Sequence, residues 1–376
     1  MIAMRLAAGA ALYAAGALVV LISPVFVGAM AERFALDAAQ IGLLAGGEAT
    51  GGVVASLTSP YWLARVDQRS AAIAALIVMI AGAAAAAVTP TFEALLLVRL
   101  ITSVAGGGVA YAVGIAWLSA AQSPDRAFAI GGGVQALAPA LLLIVSPILL
   151  KAGGLTALMG AVALLFACAL IVTAATRHGA CTVRISEGAQ ARVPFGAATI
   201  ALLVSAFALA AATQAYWAFA DVLGSESGIP GATISNALAL AAMAGLPAAA
   251  LAAWCAQRIG ARASFRIGTA GFALALGQLA FVAHPLGFVA AAIAVFFFSV
   301  FLTPFQFGAL TRADAGSPRS AALAPAAQSV GVMVGPLVAG QSAAAASTFL
   351  AAVWVAIALL ALNWIGFESA GGEVTS

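Results

Sequence analysis

Charge is what this sequence has least of. Its 376 residues include only 15 Lys and Arg and 12 Asp and Glu, 7% of the chain, where a soluble domain carries about 25%. So few charges cannot coat a globule of this size with polar surface. A soluble enzyme, a nucleic-acid binder and a disordered scaffold are excluded on that ground, and the net charge of +3 carries no sign of a nucleic-acid partner. Lysine is nearly missing: Lys151 stands alone, and Gly131-Gly132-Gly133 is not followed by the Gly-Lys-Ser/Thr of a phosphate-binding loop. ATP-driven work by this chain alone is therefore excluded. Cysteine is scarce. Cys168 and Cys255 fall in hydrophobic segments and Cys181 in a polar stretch, so no disulfide framework is expected. The two histidines, His178 and His284, are far apart and no metal-ligand spacing occurs, so no metal and no cofactor are expected. A Ser/His/Asp set or a carboxylate pair in the apolar segments is also lacking, which leaves no catalytic constellation and speaks against a membrane enzyme.

What is there is hydrophobic length. Apolar residues make up 64% of the chain and the mean hydropathy is +1.14. The runs lack the two-residue alternation of a membrane β-barrel, so the fold class is an all-α integral membrane protein. At ~20 residues per crossing, charges and Pro/Gly breaks divide the chain into twelve spans. The first half gives 6–30, 40–63, 71–89, 92–118, 127–150 and 154–175. The second gives 195–220, 231–255, 264–283, 286–310, 321–343 and 346–367.

Sorting the loops alternately puts Arg5, Arg65, Arg69, Arg126, Arg177, Arg184, Arg192, Arg258, Arg262, Arg266, Arg312 and Arg319 on one side. Arg33 and Lys151 fall on the other. This asymmetry places both termini in the cytoplasm. Ala-rich helices and arginine in place of lysine point to a bacterial inner membrane as the expected location, with the lipid bilayer and a small-molecule substrate as the partners and a monomer as the working unit.

The polar stretch 176–194 separates two groups of six spans, and these groups repeat. Arg65 and Arg69 follow the second span; Arg258 and Arg262 follow the eighth, shifted by 193. Ser123-Pro124-Asp125-Arg126 follows the fourth, and Ser317-Pro318-Arg319 follows the tenth, shifted by 194. The expected organisation is an N-terminal six-helix bundle (1–175), a cytoplasmic linker (176–194) and a C-terminal six-helix bundle (195–376). Parallel six-helix repeats are a transporter architecture.

With that topology the residues resemble the major facilitator superfamily. The loop after the second helix in that family reads G-x-x-x-D-R-x-G-R-R/K; here Arg65 and Arg69 match, while the family's aspartate is Ala64. The second copy, Gln257-Arg258-Ile259-Gly260-Ala261-Arg262, keeps R-x-G-x-R. Arg99 followed by Gly106-Gly107-Gly108 is similar to the family's fourth helix. Gly331-Val332-Met333-Val334-Gly335-Pro336-Leu337-Val338-Ala339-Gly340 resembles the glycine-proline run of its efflux branches. The resemblance implies a secondary transporter working by alternating access. It also implies a gate network in which Arg65 meets Asp125 and Arg126. Positive-inside charge alone accounts for these arginines equally well.

Two charges lie inside spans, Glu48 in the second and Arg99 in the fourth. Both lie on the order of 10–12 Å from the same membrane face, at ~1.5 Å rise per residue. A lone charge at the bilayer centre costs at least ~2.5–3.5 kcal/mol, so each needs a partner or a wet cavity. Burial and a nearby guanidinium act on the Glu48 proton in opposite senses, which suits a proton-coupling carboxylate. A static ion pair, or Arg99 as an anchor for an organic anion in an uptake system, fits the same positions. The second half has no matching charges. Its polar candidates for substrate contact are Gln214, Tyr216, Trp217, Asn236, Gln306 and Gln328, with Gln135 in the fifth helix. Helix–helix hydrogen bonding is the alternative for each amide, and an interfacial belt the alternative for the rings. The motifs Gly47-x-x-x-Gly51 and Gly331-x-x-x-Gly335-Pro336 let backbones approach closely, and the resemblance implies that they meet at a seam between the halves. The expected function is proton-coupled export of a neutral or amphipathic compound.

Overall fold

A computed structural model describes residues 2–176, 196–281, 285–313 and 319–374. These are helical nearly throughout, with no strand among the described residues. The first span is two helices, α1 (Ile2–Leu21) and α2 (Ser23–Phe34). The break falls at Ile22, with Pro24 in the first turn of α2, because proline has no N–H to continue the ladder. Then come α3 (Ala38–Trp62) and α4 (Gln68–Val88). The next span is α5 (Phe92–Ile101) running through a π-helical segment, Thr102–Gly108, into α6 (Val109–Ser119).

A long helix, α7 (Pro124–Ala174), carries two spans. It bends at Gly153 and Gly154, the latter at φ 58° and ψ −148°, a conformation that only glycine adopts without strain. The second half contains α8 (Ala197–Trp217), a short α9 (Ala220–Glu226), α10 (Gly231–Arg258), α11 (Ala261–Phe281), α12 (Pro285–Ala313), α13 (Arg319–Ala346) and α14 (Leu350–Val374).

Ten helical stretches among the described residues are long and apolar enough to cross a membrane. One of them, Arg126–Ala174, spans 49 residues and holds the two crossings joined at Gly153–Gly154. The twelfth crossing is α11, whose first turns carry Arg262 and Arg266. Counted this way, the described residues hold twelve helical segments, roughly consistent with the twelve spans expected from the sequence.

Contacts divide the chain into two compact units. One comprises Met1–Leu36 and Gly47–Ile185; the other comprises Asp37–Gly46 and Ser186–Ser376. The start of α3, up to Gly46, therefore groups with the second unit. The polar stretch carrying Arg177, Arg184 and Arg192 lies outside the described residues. The cores are built from small side chains, such as Ala8, Ala10, Ala72 and Ala83 in the first unit and Ala206, Ala211, Ala291 and Ala292 in the second. Small residues allow the close backbone approach that drives helix association in lipid.

Candidate functional site

In the first unit α3 and α5 bring Glu48 and Arg99 together. The Arg99 Nε donates to one Glu48 carboxylate oxygen and Nη2 donates to the other at 2.7 Å. Both side chains are 2% exposed. A bidentate guanidinium–carboxylate pair is the strongest form of ion pairing available, and it offsets the desolvation that a lone buried charge would incur. The Arg99 guanidinium also lies over the Phe26 ring at 5.3 Å, a cation–π contact worth up to about 2 kcal/mol when desolvated. Its Nη1 is buried and has no hydrogen-bond partner among the described residues.

The π segment holds this site in register. Ser103 lies in its first turn and donates to the Glu48 carbonyl at 2.6 Å, while accepting from the Gly51 N–H at 2.9 Å. A Cβ on Gly51 would fall against the Ser103 backbone and 2.7 Å from its hydroxyl, so only glycine permits this approach. On the other side Gly82 of α4 receives the Thr102 side chain, whose Cβ would lie 2.8 Å from an added methyl. Single π turns inside α-helices are frequent at functional sites. Sequence reasoning found the two charges but missed Ser103. The available signal was a serine four residues after Arg99, one turn further along the same face.

A second polar cluster in this unit was missed except for one member. Tyr13 of α1 stacks on Tyr111 of α6, with ring centroids 4.9 Å apart and planes 19° apart. Phe128 of α7 meets Tyr13 edge-on at 6.3 Å. The Tyr111 hydroxyl interacts with the Tyr13 hydroxyl and the Gln135 side-chain amide. Tyr13, Tyr111, Phe128 and Gln135 are all partly exposed.

In the second unit the proposed contact residues separate. Gln214 is buried, and Tyr216 and Trp217 are fully enclosed. Trp217 packs on Phe296 of α12 at 5.0 Å, and the Tyr216 hydroxyl has no hydrogen-bond partner among the described residues. Enclosure of this kind does not fit an interfacial belt. Gln306 is fully buried; it donates to Ser205 at 2.9 Å and to Asn363 at 2.7 Å, tying α12 to α8 and α14. Asn236 is exposed on α10, and Gln328 on α13 is partly exposed.

A profile of the Major Facilitator Superfamily matches residues 6–311. The chain belongs to that superfamily. Its fold is similar to that of the nucleoside transporter NupG. A mutant of NupG superposes with a TM-score of 0.77 at 15% identity, covering 98% of this chain and 99% of NupG. A second NupG structure gives 0.73 at 16% identity with the same coverage. No curated protein sequence matches the chain.

The loop arginines of this superfamily member have specific partners. Arg69 donates to the Ala174 carbonyl at 2.6 Å. Asp67 caps α4, accepting from the Ser70 N–H at 3.1 Å. Buried Gln68 donates to the Leu63 carbonyl and accepts from the Trp117 indole at 3.0 Å. Arg262 and Arg266 both hold Glu368 of α14, at 2.7 and 2.8 Å. Arg65, Arg126 and Arg258 are exposed. The Asp125 side chain lies outside the described residues, and with it the expected meeting with Arg65.

The glycines of the two motifs have close neighbours within their own units. Gly47 faces Leu96 and Leu100 of α5, and Gly51 faces Ser103. Gly331 and Gly335 lie on Phe207, Ala210 and Ala211 of α8. Leucine side chains cover Gly47, while Gly51, Gly331 and Gly335 lie directly against backbone of helices in their own units. The glycines of α3 that reach α13, within the second unit, lie closer to the start of α3. Gly46 lies against Met333 and Leu337, and Gly42 against the Pro336 carbonyl and Gly340. The contact with α13 thus uses an earlier turn of α3 than the Gly47-x-x-x-Gly51 motif.

Proposed function

We propose that the chain is a secondary active transporter exporting a small neutral or amphipathic organic solute in exchange for protons, with Glu48 as the coupling carboxylate and Arg99 as its modulator. The observation that carries this reading is the bidentate Glu48–Arg99 pair, with both side chains 2% exposed, in a chain where 7% of residues are charged. Uptake of a proton by the Glu48 carboxylate would remove the ionic part of the α3–α5 contact. Arg99 would then be left uncompensated in apolar surroundings, a state that favours different packing or water entry. A neutral solute is supported by the apolar spans and by the commitment of Arg99 to Glu48. Nucleosides, the substrates for which NupG is described, are organic solutes of this uncharged kind. The location proposed is a bacterial inner membrane, with the chain acting as a monomer.

The test uses proteoliposomes containing a pH-sensitive dye and a panel of neutral solutes, nucleosides included. The expected result is solute-driven proton movement by the wild type. In Glu48→Gln this movement should be lost, while exchange of solute across the membrane without a gradient persists. Uphill transport by Glu48→Gln with an unchanged pH dependence overturns the reading. One observation favours a second reading, an organic anion held by Arg99: the Nη1 has no partner among the described residues. In that case benzoate-like anions would bind, and Arg99→Lys would weaken them while leaving neutral solutes untouched.

A further inference from the structure

The Tyr13–Tyr111–Gln135 cluster belongs to neither the ion pair nor the loop arginines, and its construction is more than helix packing requires. Three elements contribute: α1 supplies Tyr13, α6 supplies Tyr111, and α7 supplies Phe128 and Gln135. On α7 the positions 128, 132 and 135 share one face, by the three- and four-residue spacing of a helix. Between Phe128 and Gln135 that face carries Gly132, where an added Cβ would meet no atom within 4 Å. Its neighbour Gly131, by contrast, packs on Leu118 and Tyr13. The bare position therefore leaves an open notch, flanked on α7 by an aromatic ring and an amide, beside the stacked tyrosines.

The face has a polar edge as well as a flat wall. Gln135 offers a carbonyl and an NH2, the Tyr111 hydroxyl interacts with it and with the Tyr13 hydroxyl, and all three side chains are partly exposed. The nearby apolar cavity of about 190 Å³ differs in character. Ala11, Ala14, Ala15 and Leu18 of α1, with Val134 and Ala138 of α7, line it together with further apolar residues of α7 and the Cys168 thiol. At 100° per residue, Tyr13 lies on the opposite side of α1 from those residues. A solute that needs both stacking and a directed hydrogen bond has its partners at the tyrosine face.

We propose that Phe128, Gly132 and Gln135 of α7, with the Tyr13–Tyr111 stack, form a binding subsite for a planar, uncharged aromatic ring carrying a hydrogen-bonding amide or imide edge. The ring lies along the Gly132 notch against the aromatic side chains, and its edge pairs with Gln135 and the Tyr111 hydroxyl. This deepens the transport reading by naming the solute class, and it rests on that reading only in calling the ligand a transported one. Stacking of a ring on aromatic side chains is sequence-tolerant and strong enough to be measured.

The test is equilibrium binding to the purified full-length protein in detergent, without any gradient, so that it is independent of proton coupling. Benzamide is compared with cyclohexanecarboxamide, which keeps the amide but is not planar, and with ethylbenzene, which keeps the ring but lacks the edge. The wild type is expected to bind benzamide about tenfold tighter than either, and Glu48→Gln to keep that preference. Gly132→Val projects into the notch, where an added Cβ meets no atom within 4 Å, and should abolish benzamide binding. Gln135→Leu should erase the preference over ethylbenzene alone, and Tyr111→Phe should keep the preference for a planar ring. Equal binding of the three compounds, or benzamide binding undiminished by both Gly132→Val and Gln135→Leu, overturns the subsite. If the preference holds and Glu48→Gln still pumps, the transport reading fails and the subsite stands; the converse result removes the subsite alone.

Discussion

A buried ion pair makes opposite demands on single and double substitutions. Removing one partner leaves the other charge in apolar surroundings, at a cost of about 3–5 kcal/mol, while replacing both with apolar groups of similar size is often neutral. Glu48→Leu and Arg99→Met are each expected to lower the thermal midpoint in detergent sharply, and Glu48→Leu/Arg99→Met to recover most of the loss. Thermal unfolding followed by intrinsic fluorescence checks this; a double variant no better than the worse single one refutes it. All three variants should lack proton-coupled transport, which separates the coupling role from the stabilising one. Both charges were legible in the sequence, since a charge stands out in an apolar run and counting residues from the helix starts put the two at equal depth. Ser103 left only its spacing of four from Arg99 as a signal, because its reach to Gly51 and Glu48 depends on the π segment, which leaves no periodicity to read. Gln306 was visible, but its partners Ser205 and Asn363 lie 101 and 57 residues away, beyond any local pattern.

At the scale of elements, the glycines show how the same residue does different things. Gly51 lies against the Ser103 backbone, whereas Gly160 of α7 has nothing within 4 Å of an added Cβ. Gly51→Ala should therefore force α3 and the π segment apart and destabilise the protein by about 1–3 kcal/mol, the range of overpacked cores. Gly160→Ala should stabilise it slightly, by up to about 1 kcal/mol, since alanine is the better helix former. Melting of the two variants side by side checks the contrast; equal effects would mean that close approach does not govern this packing. The duplication also reads through at this scale. Arg69 at the start of α4 bonds the end of α7 at Ala174, and Arg262 at the start of α11 bonds α14 at Glu368. The arginines are 193 apart and their partners 194, the shifts found in the loop motifs. Where the first copy uses a backbone carbonyl, the second uses a carboxylate that two arginines share. Those arginines are about half exposed, so solvent screening keeps the ionic contribution small. The repeat was legible because both copies keep the same residues at their turns. The packing partners of the helices were not, because in an alanine-rich chain nearly every face is small enough to pack.

For the whole molecule, the informative quantity is the position of the few charges that remain. Twelve cationic residues sort to one side and two to the other only if every crossing is counted correctly, and the twelve helical segments among the described residues are consistent with that count. Apolarity alone separates only ten stretches among the described residues. The crossings in α7 run together through Gly153–Gly154, and α11 begins with two arginines that share Glu368 as their partner. The same arithmetic predicts an orientation. A fluorescent protein fused after Ser376 should fold and fluoresce, because positively charged loops stay in the cytoplasm. A cysteine placed at Lys151 should be labelled by a membrane-impermeant maleimide in intact cells, and one placed at Arg258 should be labelled only after the membrane is opened. The opposite labelling pattern would invert the topology, and with it the side from which Glu48 and Arg99 are reached. Both lie in helices, α3 and α5, that start from the side bearing Arg33 and Lys151. With the topology as argued, the Glu48–Arg99 pair proposed for coupling is nearer the extracytoplasmic face, where an exporter that exchanges solute for protons must take its protons up.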